Sequence, residues 1–450
     1  MNVWWVIILV VVAMLILLWL VFGINWRSKY IYRHAHERML QRLQAEYNQV
    51  LIDLLFSEAK IDEVDEYYRP LCRILMQGGR PSVSTTDQIE IITSGKRKYE
   101  LIMHDISQAK ESIHIEYFHF GIDKGSRAVR RLLMEKARQG VKVRFINENI
   151  ANFPIPRLYF NLMRRAGVEV KHFTNNRFSL LRFLLTLSYR DHRKIIVIDG
   201  RIAYAGGMNI NDHYFNQWRD THFRLTGNSV SQLQLTFLDT WLKINGELRE
   251  PLLDYFPMVK RNDLLPQGTI LTQVTPDDPT SPSAVLLTAY EWIINHAKHY
   301  VWFQSPYLAP PQSLLNAMRN AVKRGVEVVV MVPERCDTKV MRPINRSFYR
   351  DFIDAGVVVL IRKGEFMHSK TIICDDYLSC IGTTNLDNRS FGIDYEIDTF
   401  FYDTKVAQQN KDIFNQDSKI CSRLTHKDLE KQKRLDKIYC RLMRQLSPVV

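Results

Sequence analysis

The chain has 450 residues, and its 61 lysines and arginines against 48 aspartates and glutamates give a formal net charge of +13. That length suits two domains of ordinary size plus an anchor, and the basic surplus suits a polyanionic partner, either nucleic acid or an anionic bilayer. Six cysteines without framework spacing exclude a disulfide-stapled scaffold and fit a reducing compartment.

Residues 3–26 carry no charged side chain, with Trp4, Trp5 and Trp26 near the ends. About 20 apolar residues cross a ~30 Å hydrocarbon core, and indoles favour its interfaces. Arg27, Lys29, Arg33, Arg38 and Arg42 follow, opposed only by Glu37. The pattern predicts one transmembrane helix over 1–26, with the N-terminus outside and the rest of the chain in the cytoplasm. A cleaved signal peptide is the rival reading. Against it stand the missing N-terminal Lys or Arg, the long apolar run and the lack of a small-residue cleavage site.

A basic, helical juxtamembrane region is expected over 27–84, closing at the loop Gly78-Gly79-Arg80-Pro81-Ser82. A first domain follows over 85–250. Pro251, Pro257, Pro266, Pro276, Pro279 and Pro282 mark an irregular connector over 251–283. A second domain spans 284–420, and a basic, mostly helical tail spans 421–450. Both domains read as helix, glycine and β-branched strand in alternation, around Gly140 and Gly167 in one and Gly325 and Gly356 in the other. That alternation predicts α/β layers with a buried sheet. Ile195–Ile198 and Thr371–Cys374 read as central strands.

His192-Arg193-Lys194 with Asp199 recurs as His368-Ser369-Lys370 with Asp375. Gly206, Asn209 and Asp220 follow the first copy, and Gly382, Asn385 and Glu396 the second. Each pair of positions is offset by 176 residues. A single H-x-K-x4-D is weak, because its residue types are common. Two copies in register repeat chemistry as well as fold. Each copy supplies an imidazole as nucleophile or proton carrier, an ammonium for a phosphate oxygen, an amide and a carboxylate. The late acid can bond the far nitrogen of a histidine and favour the imidazolium. Two histidines then serve the two ends of a displacement at phosphorus, while lysines and asparagines do the work that magnesium does elsewhere. No cofactor is expected, and the sequence has no H-E-x-x-H, C-x-x-C or EF-hand loop to suggest a metal.

These residues resemble the phospholipase D superfamily, over roughly 85–420. The stretches Ile113–Tyr117, Ser305–Pro310, Gly382–Ser390 and Leu446–Val450 are similar to bacterial cardiolipin synthases. The resemblance implies an α/β fold of two phospholipase D-like domains related by a pseudo-twofold axis, each a mixed sheet flanked by helices. It implies a phosphatidyltransferase at the bacterial inner membrane, making cardiolipin from two phosphatidylglycerol molecules and releasing glycerol through a phosphohistidine. His192 and His368 become the catalytic pair, with His192 as nucleophile. Lys194, Lys370, Asn209 and Asn385 become phosphate ligands, and Asp220 and Glu396 orient the histidines. Asp199 and Asp375 complete the motif but are set back from the phosphate. The superfamily usually has serine after the motif glycine. This chain has Gly207 and Thr383, so a hydroxyl donor to phosphate is expected only in the second half. It also has one candidate span where cardiolipin synthases usually have two.

Other readings stay open. Glu116 is either a substrate contact or a satisfied core group. His114 and His119 are strand residues or line an acceptor site, whereas His104, His172, His213, His296, His299 and His426 read as structural. Residues 178–187 are either core or an element dipping into the bilayer. The basic residues of 423–444 are a solvated helix face or an anionic-lipid contact. The rival activities are hydrolysis, headgroup exchange and a membrane-tethered phosphodiesterase or nuclease. No nucleic acid is expected, because no RNA- or DNA-binding module is seen. An inactive scaffold is disfavoured by intact motifs in both halves.

Overall fold

The computed structural model describes residues 49–173, 189–257, 270–281 and 283–447. The candidate span at 1–26 and the apolar stretch at 178–187 lie outside them. Among the described residues no helix is long and apolar enough to cross a membrane.

The first half supplies β1 (Ser84–Thr86), β2 (Gln88–Ile92), β3 (Ser112–Tyr117), β4 (Lys142–Glu148), β5 (Glu169–Phe173), β6 (Lys194–Ile198), β7 (Ile202–Gly206) and β8 (His222–Thr226). The second supplies β9 (Ile270–Asp277), β10 (Tyr300–Gln304), β11 (Leu308–Ala309), β12 (Glu327–Pro333), β13 (Val358–Arg362), β14 (Thr371–Cys374), β15 (Leu378–Gly382), β16 (Leu386–Asp387), β17 (Glu396–Tyr402) and β18 (Cys421–Arg423). One sheet runs β2-β8-β7-β6-β3-β4-β5, and the other β1-β9-β17-β15-β14-β10-β12-β13-β18. Without β1 and β18 at its edges, the second order repeats the first strand for strand. β3, β4 and β5 are parallel, as are β10, β12 and β13, while the neighbouring pairs are antiparallel.

Local sequence explains the parallel part. The helices Lys124–Arg138 and Gln312–Lys323 end before Gly140 and Gly325, whose φ values are +93° and +90°. Glycine takes this left-handed backbone without a Cβ clash, so the chain turns back into β4 or β12 within two residues. β6 and β14 are buried along their whole length, as their unbroken apolar runs require. The sheets meet face to face there: Ile195, Val197 and Phe223 share one core with Ile381, Ile397 and Phe401.

Two segments differ from the sequence reading. The proline-marked connector contains β9, which pairs with β17 inside the second sheet. Its prolines bracket the strand; Pro276 falls one residue before the end and leaves the six strand residues Ile270–Thr275 free of proline. The basic tail is also integrated, since β18 pairs with β13 and the helix Arg434–Met443 packs on the helix Met341–Asp354.

Candidate active site

The site is built by an exchange between the halves. His192 N–H donates to the Tyr395 carbonyl (2.9 Å), and His368 N–H donates to the Arg219 carbonyl (2.7 Å). These bonds place each motif histidine beside the acid that follows in the other half. His192 Nδ1 lies 3.0 Å from both carboxylate oxygens of Glu396. His368 Nδ1 lies 2.8 Å from Asp220 Oδ2. With Nδ1 occupied, Nε2 is the nitrogen left to meet phosphorus.

Two buried arginines fasten the exchange. Arg193 donates to the Glu396 carbonyl (3.0 Å), Thr240 Oγ1 (3.0 Å) and the Asp277 carbonyl (3.1 Å). Arg219 grips Asp417 with two nitrogens and reaches Ser369 Oγ at 3.0 Å. Arg193 and Ser369 hold equivalent positions in the repeat, and the first half supplies the arginine at both crossings.

A cleft of about 580 Å³ opens over the histidines, lined also by Asn209, Asn385, Arg190, Arg389, Tyr214, Trp218 and Tyr307. Lys194 and Lys370 lie just beneath its floor, each donating to the carbonyl of its own motif histidine, at 2.5 and 2.6 Å. Lys370 Nζ is also 3.0 Å from His368 Nε2. Asn209 is held by Tyr214 Oη and the His119 N–H, whereas the buried Oδ1 of Asn385 has no hydrogen-bond partner among the described residues.

Burial and mutual repulsion lower the pKa of Lys194 to about 7, and burial lowers that of Lys370 to about 8. Burial followed by the two lysines holds His192 well below its ordinary value. His368 is lowered to about 4 by burial and Lys370, with Asp220 opposing. Burial lifts Glu396 to about 7. The Glu396 carboxylate is therefore partly protonated near neutrality and a weak counter-charge for His192. The two histidine environments are unequal, which the sequence did not reveal.

Several candidates sit elsewhere. Asp199 and Asp375 cap the far ends of their hairpins in left-handed backbone, φ 51° and 49°. Each carboxylate accepts three successive backbone N–H groups, at Lys110–Ser112 and Lys298–Tyr300. They shape the sheet and do not reach the cleft. Glu116 is fully buried, accepts from Thr240 Oγ1 and presses on Asp191. Burial lifts both carboxyls, Asp191 to about 7. Glu116 is therefore a core group near Arg193 and not a cleft wall. The Thr383 hydroxyl donates to Glu396 Oε2 (2.5 Å) and accepts from Ile397 N–H (2.9 Å), so it braces the carboxylate instead of facing phosphate. Gly207 has no such role to fill: a Cβ there would lie 2.2 Å from Asp220 Oδ1. His119 lines the cleft, while His114 stacks on Phe237 in the core. His213, read as structural, also lines the cleft. The aromatic wall, Arg190 and Arg389 were not singled out; Tyr307 and Arg389 stood inside stretches noted for resemblance alone.

Paired imidazoles over two ammonium groups, each oriented by a carboxylate of the opposite half, define a phosphodiester-transferring enzyme of the phospholipase D type. A family model described as "Cardiolipin synthase, PLD-like domain" matches residues 102–241 and 291–418. The chain is 30% identical to the major cardiolipin synthase ClsA of Bacillus subtilis, covering 99% of this chain and 93% of that one. It is 34% identical to the cardiolipin synthase of Geobacillus kaustophilus, covering 85% and 76%. A crystal structure of phosphatidylserine synthase from Haemophilus influenzae shares the fold, with a TM-score of 0.63 at 14% identity over 82% of this chain and 97% of that one. The chain belongs to the cardiolipin synthase family of phospholipase D-like enzymes.

Proposed function

We propose that the chain transfers a phosphatidyl group from one phosphatidylglycerol to the free hydroxyl of another, making cardiolipin and releasing glycerol. The observation that carries this reading is the crossed pairing of His192 with Glu396 and His368 with Asp220 above two lysines. His192 Nε2 attacks phosphorus and a phosphohistidine forms as the P–O bond to glycerol breaks. The departing oxygen takes a proton from His368. The hydroxyl of the second lipid then gives a proton back to His368 and attacks phosphorus, freeing His192. Lys194, Lys370, Asn209 and Asn385 hold the non-bridging oxygens, and the anion they hold favours the ammonium forms that burial disfavours.

The unequal environments support this division of labour. A nucleophile must be neutral, and burial with Lys194 and Lys370 beside it disfavours the charged form of His192. The general acid must charge, and Asp220 pulls His368 in that direction. Pairs of titrating groups pushed apart by their surroundings mark acid and base. Anchoring by a helix at 1–26, with the cleft on the cytoplasmic side of a bacterial inner membrane, belongs to the same proposal and rests on the charge pattern of 27–42.

Purified enzyme given labelled phosphatidylglycerol should yield cardiolipin and glycerol in equal amounts. Phosphatidic acid as the sole lipid product would make it a hydrolase; cleavage of a nucleic acid in place of lipid would make it a nuclease. A His368→Asn variant supplied with a donor that has a good leaving group should stall with the adduct on His192. An adduct on His368 of the wild-type enzyme, with none on His192, would reverse the assignment. A reporter fused after Val450 should read cytoplasm, and the opposite result would overturn the topology.

A further inference from the structure

The helix Arg434–Met443 and the turn Arg444–Leu446 carry the least expected surface of the described chain. Leu435, Ile438, Tyr439, Leu442 and Leu446 are 80, 49, 53, 64 and 42% exposed. These are five of the ten large apolar side chains that the described residues leave exposed. At about 100° per residue they fall within a stripe ~100° wide, the width of a face that buries itself against something. Nothing among the described residues covers it. The inward face is accounted for by Cys440, which is buried, and by Arg444, which pairs with Asp351 at 2.6 Å and lies 4.0 Å from the Phe348 ring.

The flank is cationic. Between 423 and 447 there are eight lysines and arginines and three carboxylates. Arg434 and Arg441 stand at one edge of the stripe, whereas Lys437 and Arg444 turn inward toward Arg346, Arg350 and Asp351, which line a groove of about 280 Å³ between the two helices. An apolar stripe with basic residues alongside is the pattern of a helix lying in the plane of a membrane, with lysine and arginine stems reaching back to headgroup phosphates. A solvated helix face needs no such stripe, and a protein partner would not by itself call for its basic edge.

The helix is also placed to matter. It packs on the helix Met341–Asp354, whose first residue, Met341, lines the cleft beside the half-exposed Val340. Beyond its end, the Ser447 carbonyl meets Asn388 Nδ2 at 3.5 Å, next to the cleft residue Arg389. We propose that residues 434–446 dock on the surface of an anionic bilayer and hold the cleft mouth against it, with Arg434 and Arg441 at the edge of the stripe reaching headgroup phosphates. This rests on the lipid reading of the cleft and names the element that delivers the site to its substrate.

The test uses the full chain in nanodiscs, and its first readout needs no turnover. Hydrogen–deuterium exchange over 434–446 should slow by about tenfold or more in phosphatidylglycerol-containing discs relative to discs of phosphatidylcholine alone. High salt should reverse much of the difference. A Leu435→Gln/Leu442→Gln variant should lose the protection, lose vesicle turnover by roughly tenfold and keep its turnover in mixed micelles, which also shows that it is folded. Equal exchange in both kinds of disc would overturn the proposal. Protection in detergent that grows with protein concentration would also overturn it, by assigning the stripe to a second copy. Protection by anionic lipid in an enzyme that makes no cardiolipin would refute the catalytic reading and leave the docking intact.

Discussion

Gly207→Ser restores the residue that the superfamily usually carries after the motif glycine, yet the structure predicts that it damages the enzyme. A Cβ at position 207 would stand 2.2 Å from Asp220 Oδ1 and 2.7 Å from Oδ2, well inside contact distance. The carboxylate has little freedom, since it bonds His368 Nδ1 at 2.8 Å and the Thr221 N–H at 2.7 Å. It must retreat by about 1 Å, a displacement that costs about 10²-fold in a catalytic arrangement. Losing a charged hydrogen bond gives a similar size, ~1.5–3 kcal/mol or roughly 10- to 150-fold. His368 would lose its counter-charge and its fixed tautomer, so proton delivery to the leaving glycerol should suffer most. The assay is cardiolipin formation from labelled phosphatidylglycerol, repeated with a donor whose leaving group needs no proton. Transfer from phosphatidylglycerol should fall ~10²-fold, and formation of the phosphohistidine from the activated donor much less. Gly207→Ala should behave alike, because the clash belongs to Cβ and not to the hydroxyl. Wild-type turnover in both variants, with thermal stability unchanged, would refute the placement of Asp220.

His192→Ala and His368→Ala should each lower transfer by at least ~10²-fold, and the double variant should be little worse, because both serve one sequence of steps; near-normal turnover of either single variant would remove the shared site. The ammonium forms of Lys194 and Lys370 are lost as pH rises through about 7 and about 8 in the free enzyme. Accordingly kcat/KM should fall above that range by up to about tenfold per unit for each lysine. The limb in kcat should lie at higher pH, since a bound phosphate favours the ammonium form; a kcat/KM profile still rising at pH 9 would contradict this. Exhaustive chelation should leave activity in place, since lysines stabilise the phosphate charge, and loss on EDTA with rescue by a divalent cation would show that the phosphate site is misread.

The repeat made most of the site legible, because His192, Lys194, Asn209 and Asp220 recur at one offset and common residues seldom do so by chance. The crossed pairing was not legible. Each histidine precedes its own half's acid by the same 28 residues, so spacing carries no sign that the partners are exchanged. From sequence, Gly207 and Thr383 read as the absence and presence of a phosphate donor. What constrains them in the structure, the Asp220 carboxylate pressed against Gly207 and the hydroxyl that braces Glu396, exists only once the carboxylates are in place. Tyr214 and Trp218 gave no warning, since aromatic residues at such spacing are ordinary core. β9 was hidden by prolines that flank a strand as readily as they interrupt one.

Neither half contains a working site alone. His192 without the second half would lose Glu396 and the Tyr395 carbonyl together, and His368 without the first would lose Asp220 and the Arg219 carbonyl. The dependence is mutual, and it reaches the backbone, so the halves must dock before either imidazole has a fixed tautomer. Two copies in one chain keep that docking intramolecular. They also permit what two identical chains could not: different acids on the two sides. Asp220 opposes the lysines at His368, while Glu396, lifted by burial to about 7, opposes them only weakly at His192. Attack on phosphorus and protonation of the leaving oxygen need opposite charge states of the same ring type. The inequality of one methylene, with Gly207 and Thr383 fitted to it, is a physical means by which a near-symmetric fold gives its two histidines unequal surroundings.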